Sequence, residues 1–143
     1  MATKKRTLFL CVGNSCRSQM AEGLLRHLAP ERFEAHSAGA VASGLNPNAV
    51  KVMRELGIDI ARQRSKLVEQ FAGQTFDYVV TVCDSSQGGP CPVFLGQAGE
   101  RLHWPLDDPA EATGSEEEVL RVFRRIRDEI KARLERFTGS SVG

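Results

Sequence analysis

A cysteine and an arginine separated by five residues stand where an apolar run gives way to a helical pattern. The run Leu8-Phe9-Leu10 precedes Cys11, and Arg17-Ser18 opens the helical pattern. Unpaired N–H groups at a helix N-terminus bind anions, and an arginine guanidinium matches two oxygens of an oxyanion. This arrangement predicts a site at which the Cys11 sulfur attacks a tetrahedral oxyanion such as phosphate or arsenate.

The loop between these two residues is suited to curl around an anion, and it consists of Val12, Gly13, Asn14, Ser15 and Cys16. Gly13 can adopt a positive φ, and Asn14 tolerates a left-handed conformation and can brace the loop with its side chain. Helix N-termini and nearby cations lower cysteine pKa values from about 8.5 to about 3.5–7.5. The motif therefore predicts a thiolate at Cys11, to which Ser18 can donate a hydrogen bond.

Each of these residues also has an ordinary interpretation. A buried cysteine is usually an inert small hydrophobe, and an arginine near a helix start is usually a solvated charge. Their joint occurrence with Gly13-Asn14 favours the anion site. The two common glycine-rich phosphate motifs, G-x-x-x-x-G-K-[ST] and G-x-G-x-x-G, do not occur in the sequence.

A second pair of cysteines follows a strand rich in β-branched residues. Cys83 ends that strand, and Cys91 comes eight positions later, after Gly88-Gly89-Pro90. Two thiols joined by such a segment can pass a disulfide along, one attacking and the other resolving it. The alternative is two unrelated buried cysteines. Because one thiolate is already expected nearby, the relay is favoured.

Two further residues have less certain roles. Asp108, in the loop Asp107-Asp108-Pro109, can protonate a leaving oxygen, although Asp before Pro is also a common turn. Cys16 can pair with Cys11 under oxidation or fill space in the loop, and the second is favoured. The sequence has no C-x-x-C, and its cysteine spacings fit no common zinc pattern.

Bulk composition predicts one catalytic domain over residues 1–143, with a flexible tail from about 138. Hydrophobic and charged contents of 41% and 26% are ordinary. A net charge of +1 gives no sign of a nucleic-acid or membrane partner. No apolar run approaches the roughly 20 residues that span a bilayer, and the N-terminal apolar stretch is too short for a signal peptide. We expect a cytoplasmic monomer.

Strand-like and helical patterns alternate along the chain. The strand-like segments are 6–12, 33–37, 76–82 and 101–104. Helices are predicted from Met20 to about Leu28, from Asn46-Pro47 to Gly57, from a Ser65 cap to Phe71, and from a Ser115 cap to about Arg136.

This alternation predicts an α/β fold with a parallel sheet and right-handed crossovers. Ligands of such sheets bind beyond the carboxyl ends of the strands. The pattern therefore gathers Cys11–Ser18, Cys83–Cys91 and Asp107–Pro109 on one rim.

These motifs together resemble the low-molecular-weight tyrosine phosphatase superfamily, and more closely its thioredoxin-coupled arsenate reductases. The resemblance covers nearly the whole chain and rests on residues 11–23, 37–39, 46–47, 81–84, 91–92, 103–104 and 107–110. The motif Cys11–Ser18 is typical of the superfamily. The reductase branch is indicated by Cys83 and Cys91 together with Asp108-Pro109-Ala110. The resemblance implies a three-layer α/β sandwich with a four-stranded parallel sheet of flavodoxin-like topology.

The resemblance also implies a mechanism. Arsenate binds the loop amides and Arg17, and Cys11 attacks arsenic while Asp108 protonates the departing oxygen. Cys83 then attacks the Cys11 sulfur and expels arsenite, and Cys91 attacks Cys83. Thioredoxin, or a mycoredoxin or glutaredoxin, reduces the final disulfide. No metal or organic cofactor is implied, and phosphate or sulfate would fit the same loop.

Two departures from the family pattern stand out. Seven residues separate Cys83 from Cys91, one more than in better-known members. Some relatives hold potassium near the anion loop, at positions that correspond here to Asn14, Glu22, Ser37 and Lys66. Because a lysine ammonium would lie where the cation sits, we expect no potassium dependence.

Three other functions are alternatives to arsenate reduction. A tyrosine phosphatase would use Cys11, Arg17 and Asp108 alone, but Ala110 stands where phosphatases usually carry an aromatic residue, and the loop 42–45 has none. Weak phosphatase activity remains expected, because the loop fits phosphate. An oxyanion-binding or redox-sensing module would hold Cys11 poised without turnover. A flavodoxin-like FMN carrier would need a hydroxyl-rich phosphate loop and aromatic flavin clamps.

Overall fold

The computed structural model describes residues 4–83 and 92–139. Four parallel strands form one sheet in the order β2-β1-β3-β4, with β1 at Lys5–Cys11, β2 at Phe33–Gly39, β3 at Thr75–Thr81 and β4 at Gln97–His103. The α-helices are α1, Arg17–Leu28, α2, Pro47–Arg54, and α3, Glu116–Thr138. Two 3-10 helices span Val68–Phe71 and Pro109–Glu111. The predicted α/β class and parallel sheet are confirmed.

The central strand β1 separates two apolar clusters. Successive side chains of a strand point to opposite faces, so Phe9 and Cys11 pack toward α1, α2 and α3. Leu8 and Leu10 pack on the other face, under the 3-10 helix Val68–Phe71. All four side chains are at most 2% exposed. The strand that carries the predicted nucleophile is therefore fixed from both sides.

The predicted helix caps at Asn46 and Ser115 are confirmed. Asn46 Oδ1 accepts a hydrogen bond from the Asn48 N–H (2.8 Å), and Ser115 Oγ accepts one from the Glu118 N–H (3.1 Å). None of the helices within the described residues is long and apolar enough to cross a membrane.

Two element predictions were wrong. Ser65 caps no helix, and the 3-10 helix begins later, at Val68. The Ser65 hydroxyl instead contacts the carbonyl oxygens of Gly13 (3.2 Å) and Asn14 (3.0 Å). Strand β4 begins at Gln97 rather than at residue 101. It is an edge strand with mostly exposed side chains, so its first half lacks an apolar pattern.

One buried hydroxyl in the sheet yields a stability prediction. Thr7 is fully buried in β1, and its Oγ1 has no hydrogen-bond partner in the described part of the chain. Thr7→Val removes this hydroxyl at nearly constant shape and should raise the free energy of unfolding by about 1–2 kcal/mol, measured by urea denaturation.

The matched control is Thr81→Val. Thr81 Oγ1 lies 2.6 Å from His103 Nδ1 and 3.3 Å from the Leu102 carbonyl oxygen. Losing these bonds should lower stability by about 1 kcal/mol. An equal loss of stability in Thr7→Val would contradict the finding that the Thr7 hydroxyl has no hydrogen-bond partner.

Candidate active site

The predicted anion loop lines a pocket at the carboxyl rim of the sheet. Its cavity is about 250 Å³, and the lining includes Cys11, Arg17, Asp108 and Ala110. Cys11 is the last residue of β1, and Asp108 is the N-cap of the 3-10 helix Pro109–Glu111. The structure thus brings together the predicted nucleophile, the arginine and the carboxyl group.

The loop takes its structural hydrogen bonds on its carbonyl oxygens. Val12, Gly13 and Ser15 accept bonds of 3.0–3.1 Å from the N–H groups of Val41, Ser43 and Asn46, respectively. Within the described residues, the N–H groups of residues 13–15 donate to no backbone carbonyl. They are thereby left available to an oxyanion in front of the α1 N-terminus.

Asn14 has the left-handed backbone conformation that its residue type was predicted to tolerate. Its φ is +48°, the one positive φ among the non-glycine residues described. Gly13 is not among the positive-φ glycines, and its small size matters instead, because a Cβ there would lie 2.9 Å from Ser43 Oγ. The prediction that Gly13 adopts a positive φ was therefore wrong.

A chain of hydrogen bonds directs one proton toward the Cys11 sulfur. Asn14 Oδ1 accepts from the Lys66 N–H (2.7 Å), which turns Asn14 Nδ2 toward Ser18 Oγ (2.7 Å). Because Nδ2 can only donate, Ser18 Oγ accepts this bond and keeps its own hydrogen for the Cys11 sulfur, 2.8 Å away. The Ser18 hydroxyl can thus stabilise negative charge on Cys11.

Two glutamines that sequence reasoning missed support the loop from behind. Gln19 Nε2 donates to the carbonyl oxygens of Asn14 (3.1 Å) and Arg64 (2.8 Å). Gln63 Nε2 donates in turn to Gln19 Oε1 (2.8 Å) and to the Gln19 carbonyl oxygen (3.0 Å). Gln19 is fully buried, although it lies directly after the motif on a helix start. An uncharged polar side chain beside Ser18 is the only sequence signal for this role.

Arg17 is held with its guanidinium at the pocket wall. It is 4% exposed, and its Nη1 donates to the Leu106 carbonyl oxygen (3.0 Å). Its Nη2 lies 3.7 Å from Asp108 Oδ2, while Asp108 Oδ1 accepts from the Ala110 N–H (3.0 Å). The arginine and the carboxyl group therefore face the same space from fixed positions.

The cysteines differ in state and surroundings. Cys11 and Cys16 are free thiols, whereas Cys83 is disulfide-bonded. Burial raises the pKa of Cys16 to about 12, so Cys16 stays a neutral thiol. The buried Cys83 sulfur lies 3.8 Å from the Leu10 carbonyl oxygen, next to the peptide bond that precedes Cys11. Cys91 lies outside the described residues.

One of the four positions that correspond to a potassium site in some relatives is a lysine, Lys66. Lys66 Nζ lies 3.8 Å from Glu22 Oε1, which also accepts from Ser37 Oγ (2.5 Å). Arg26 Nη2 lies 2.9 Å from Glu22 Oε2. This buried carboxylate therefore already has cationic partners. No group of His, Cys, Asp and Glu in residues 4–83 and 92–139 could hold a metal ion.

Comparison with known proteins agrees with this geometry. Residues 6–142 match the family described as low molecular weight phosphotyrosine protein phosphatase. An arsenate reductase of Shouchella clausii is 50% identical over 135 residues, which cover 94% of this chain and 96% of that protein.

Two solved structures extend the comparison. A structure of an arsenate reductase in the phosphate-binding state has a TM-score of 0.80 at 34% identity, covering 94% of this chain and 97% of that one. A thioredoxin-dependent arsenate reductase of Corynebacterium glutamicum has a TM-score of 0.68 at 29% identity. The match covers 96% of this chain and 62% of that one.

The different surroundings of the two free thiols predict selective alkylation. At about pH 8, iodoacetamide should label Cys11 and leave Cys16 unmodified, because alkylation requires the thiolate and the pKa of Cys16 is about 12. Peptide mass spectrometry distinguishes the two sites. Saturating phosphate should slow labelling of Cys11. As a control, both cysteines should react in protein unfolded by guanidinium. Equal labelling of Cys11 and Cys16 in the native protein would refute the prediction.

Proposed function

The chain belongs to the low molecular weight phosphotyrosine protein phosphatase family, and we propose that within it the protein is an arsenate reductase that uses three cysteines in sequence. The observation that carries this proposal is the position of two sulfurs. Free Cys11 lines an anion pocket, and the Cys83 sulfur is buried against the peptide bond just before it. A phosphatase needs the first sulfur and has no use for the second.

In the first step, arsenate occupies the pocket with its oxygens on the loop N–H groups and the Arg17 guanidinium. The Cys11 sulfur forms a bond to arsenic, and one arsenate oxygen leaves as water after Asp108 supplies a proton. Ser18 donates its hydrogen bond to the sulfur before the attack. This step is a substitution in which arsenic stays in its +5 state.

The second step starts from the reduced enzyme, in which the Cys83 disulfide has been opened, and the Cys83 thiolate attacks the Cys11 sulfur. The electron pair of the sulfur–arsenic bond passes to arsenic, which leaves as arsenite in the +3 state, and a Cys11–Cys83 disulfide forms. Cys91 then attacks the Cys83 sulfur, which gives a Cys83–Cys91 disulfide and frees Cys11. The two thiols supply both electrons, so the scheme uses no metal or organic cofactor.

An external dithiol must reduce the final disulfide, and we propose thioredoxin for this role. The Corynebacterium glutamicum neighbour is described as thioredoxin-dependent, which supports the choice. A mycoredoxin or a glutaredoxin would perform the same exchange, since each supplies an attacking thiolate.

Phosphatase activity is a side reaction in this proposal. The pocket has Val41, Ser43 and Ala110 on its wall, and none of the described residues that line it has an aromatic ring to stack on a phosphotyrosine. The loop itself fits phosphate as well as arsenate. Slow hydrolysis of a small aryl phosphate through Cys11 is therefore expected.

The proposal predicts which cysteine each activity needs. NADPH oxidation is followed with thioredoxin, thioredoxin reductase and arsenate. Multiple turnover should fall to background in Cys11→Ser, Cys83→Ser and Cys91→Ser, because each removes one exchange step. Hydrolysis of an aryl phosphate should be lost only in Cys11→Ser, and this matched assay shows that the other two variants are folded. Wild type that hydrolyses the ester but never reduces arsenate would identify a phosphatase instead.

The lysine beside Glu22 predicts insensitivity to potassium. Replacing NaCl by KCl at equal ionic strength should change kcat/KM for arsenate by less than about twofold, because the Lys66 ammonium repels a second cation at Glu22. Lys66→Asp is the matched variant. It leaves the backbone N–H to Asn14 in place and offers oxygen ligands to a cation, so its activity should rise in KCl. Strong potassium activation of the wild type would overturn this role for Lys66.

A further inference from the structure

A second cavity, of about 560 Å³, opens between the middle of α1 and the segment 57–66. It shares none of the residues that line the catalytic pocket, and it has more than twice that pocket's volume of about 250 Å³. The mechanism above assigns no reaction to it. We call it the basic pocket, because of the side chains that line it.

Positive charge is concentrated on this lining. Four cations, Arg26, Arg62, Arg64 and Lys66, face two carboxylates, those of Glu22 and Asp59. The excess of two positive charges is notable in a chain whose net charge is only +1. His27 also lines the pocket and adds a charge when it is protonated.

Both carboxylates are already engaged. Glu22 is 4% exposed and bound by Arg26 and by the Ser37 hydroxyl. Asp59 Oδ1 accepts from the Ala61 N–H (2.9 Å). Within the described residues, neither carboxylate forms an ion pair with Arg62 or Arg64, whereas Glu22 has Arg26 and Lys66 within ion-pair distance.

The two unpaired cations of the pocket are Arg62 and Arg64. Both are exposed, and neither guanidinium makes a hydrogen bond or an ion pair within residues 4–83 and 92–139. They alternate with Gln63 and Ser65, whose side chains bond to α1 and to the catalytic loop. The side chains of Gln63 and Ser65 are thus used to hold the structure together, whereas those of Arg62 and Arg64 line the basic pocket.

We propose that the basic pocket binds the polyphosphate group of a small-molecule anion. Guanidinium groups bind phosphate oxygens in pairs, and two unpaired ones with Lys66 nearby suit two or three linked phosphates. A single tetrahedral oxyanion is matched by the smaller catalytic pocket. This inference does not depend on the reductase reaction.

The test is calorimetric titration of the full chain with inorganic tripolyphosphate. The double variant R62Q/R64Q should weaken binding by at least about tenfold, because it removes the charged hydrogen bonds to the phosphate oxygens. The matched control R121Q/R136Q removes the same charge from the exposed surface of α3 and should leave the affinity unchanged. Carboxymethylation of Cys11 blocks the catalytic loop and should also leave it unchanged.

Three outcomes would overturn the proposal. They are the absence of measurable binding, equal weakening in the two double variants, and loss of binding after carboxymethylation of Cys11. A parallel titration with a nucleoside triphosphate identifies the source of the phosphates. Equal affinity supports recognition of the polyphosphate alone, and tighter binding supports a nucleotide whose base adds contacts in the pocket.

Discussion

The side-chain amide of Asn14 is the constraint on which the catalytic loop depends. The backbone N–H of Lys66 can only donate, so the amide oxygen of Asn14 must face it. The amide nitrogen then faces Ser18. The amide is fully buried, and removing it would leave buried polar partners unsatisfied at about 1–3 kcal/mol each. The same residue holds the left-handed turn that brings the loop back toward α1. One side chain thus sets both the path of the loop and the hydrogen bond to the Cys11 sulfur.

The rest of the site follows from keeping the loop N–H groups free. The loop is fastened through its carbonyl oxygens, by the segment 41–46 on one side and by Ser65 and Gln19 on the other. A loop held through its N–H groups would have none left for an anion. Gly39 permits this close packing, because a Cβ there would lie 2.8 Å from the Asn14 nitrogen. The anion site is therefore preorganised by contacts that lie behind it.

The sequence was most informative where function depends on neighbours along the chain. Cys11, Arg17 and Ser18 lie within eight residues, and the caps at Asn46 and Ser115 depend on the next three. Prediction failed where a distant partner decides the outcome. Ser65 has the residue type of a cap, but it bonds to a loop more than fifty residues away. Gln19 and Gln63 are likewise paired across 44 residues, a contact that no local pattern encodes.

Residues outside the anion loop decide which chemistry the loop performs. The loop and Arg17 serve any reaction that begins with sulfur attack on a tetrahedral oxyanion. Small side chains at Val41, Ser43 and Ala110 offer no stacking surface for an aryl ester, which favours an inorganic substrate. In the proposed mechanism, the Cys83 sulfur, which lies against the Leu10 carbonyl oxygen, gives the first adduct a route to reduction instead of hydrolysis. The strand β3 that ends before Cys83 pairs directly with β1, so the parallel register itself brings the two sulfurs to one rim.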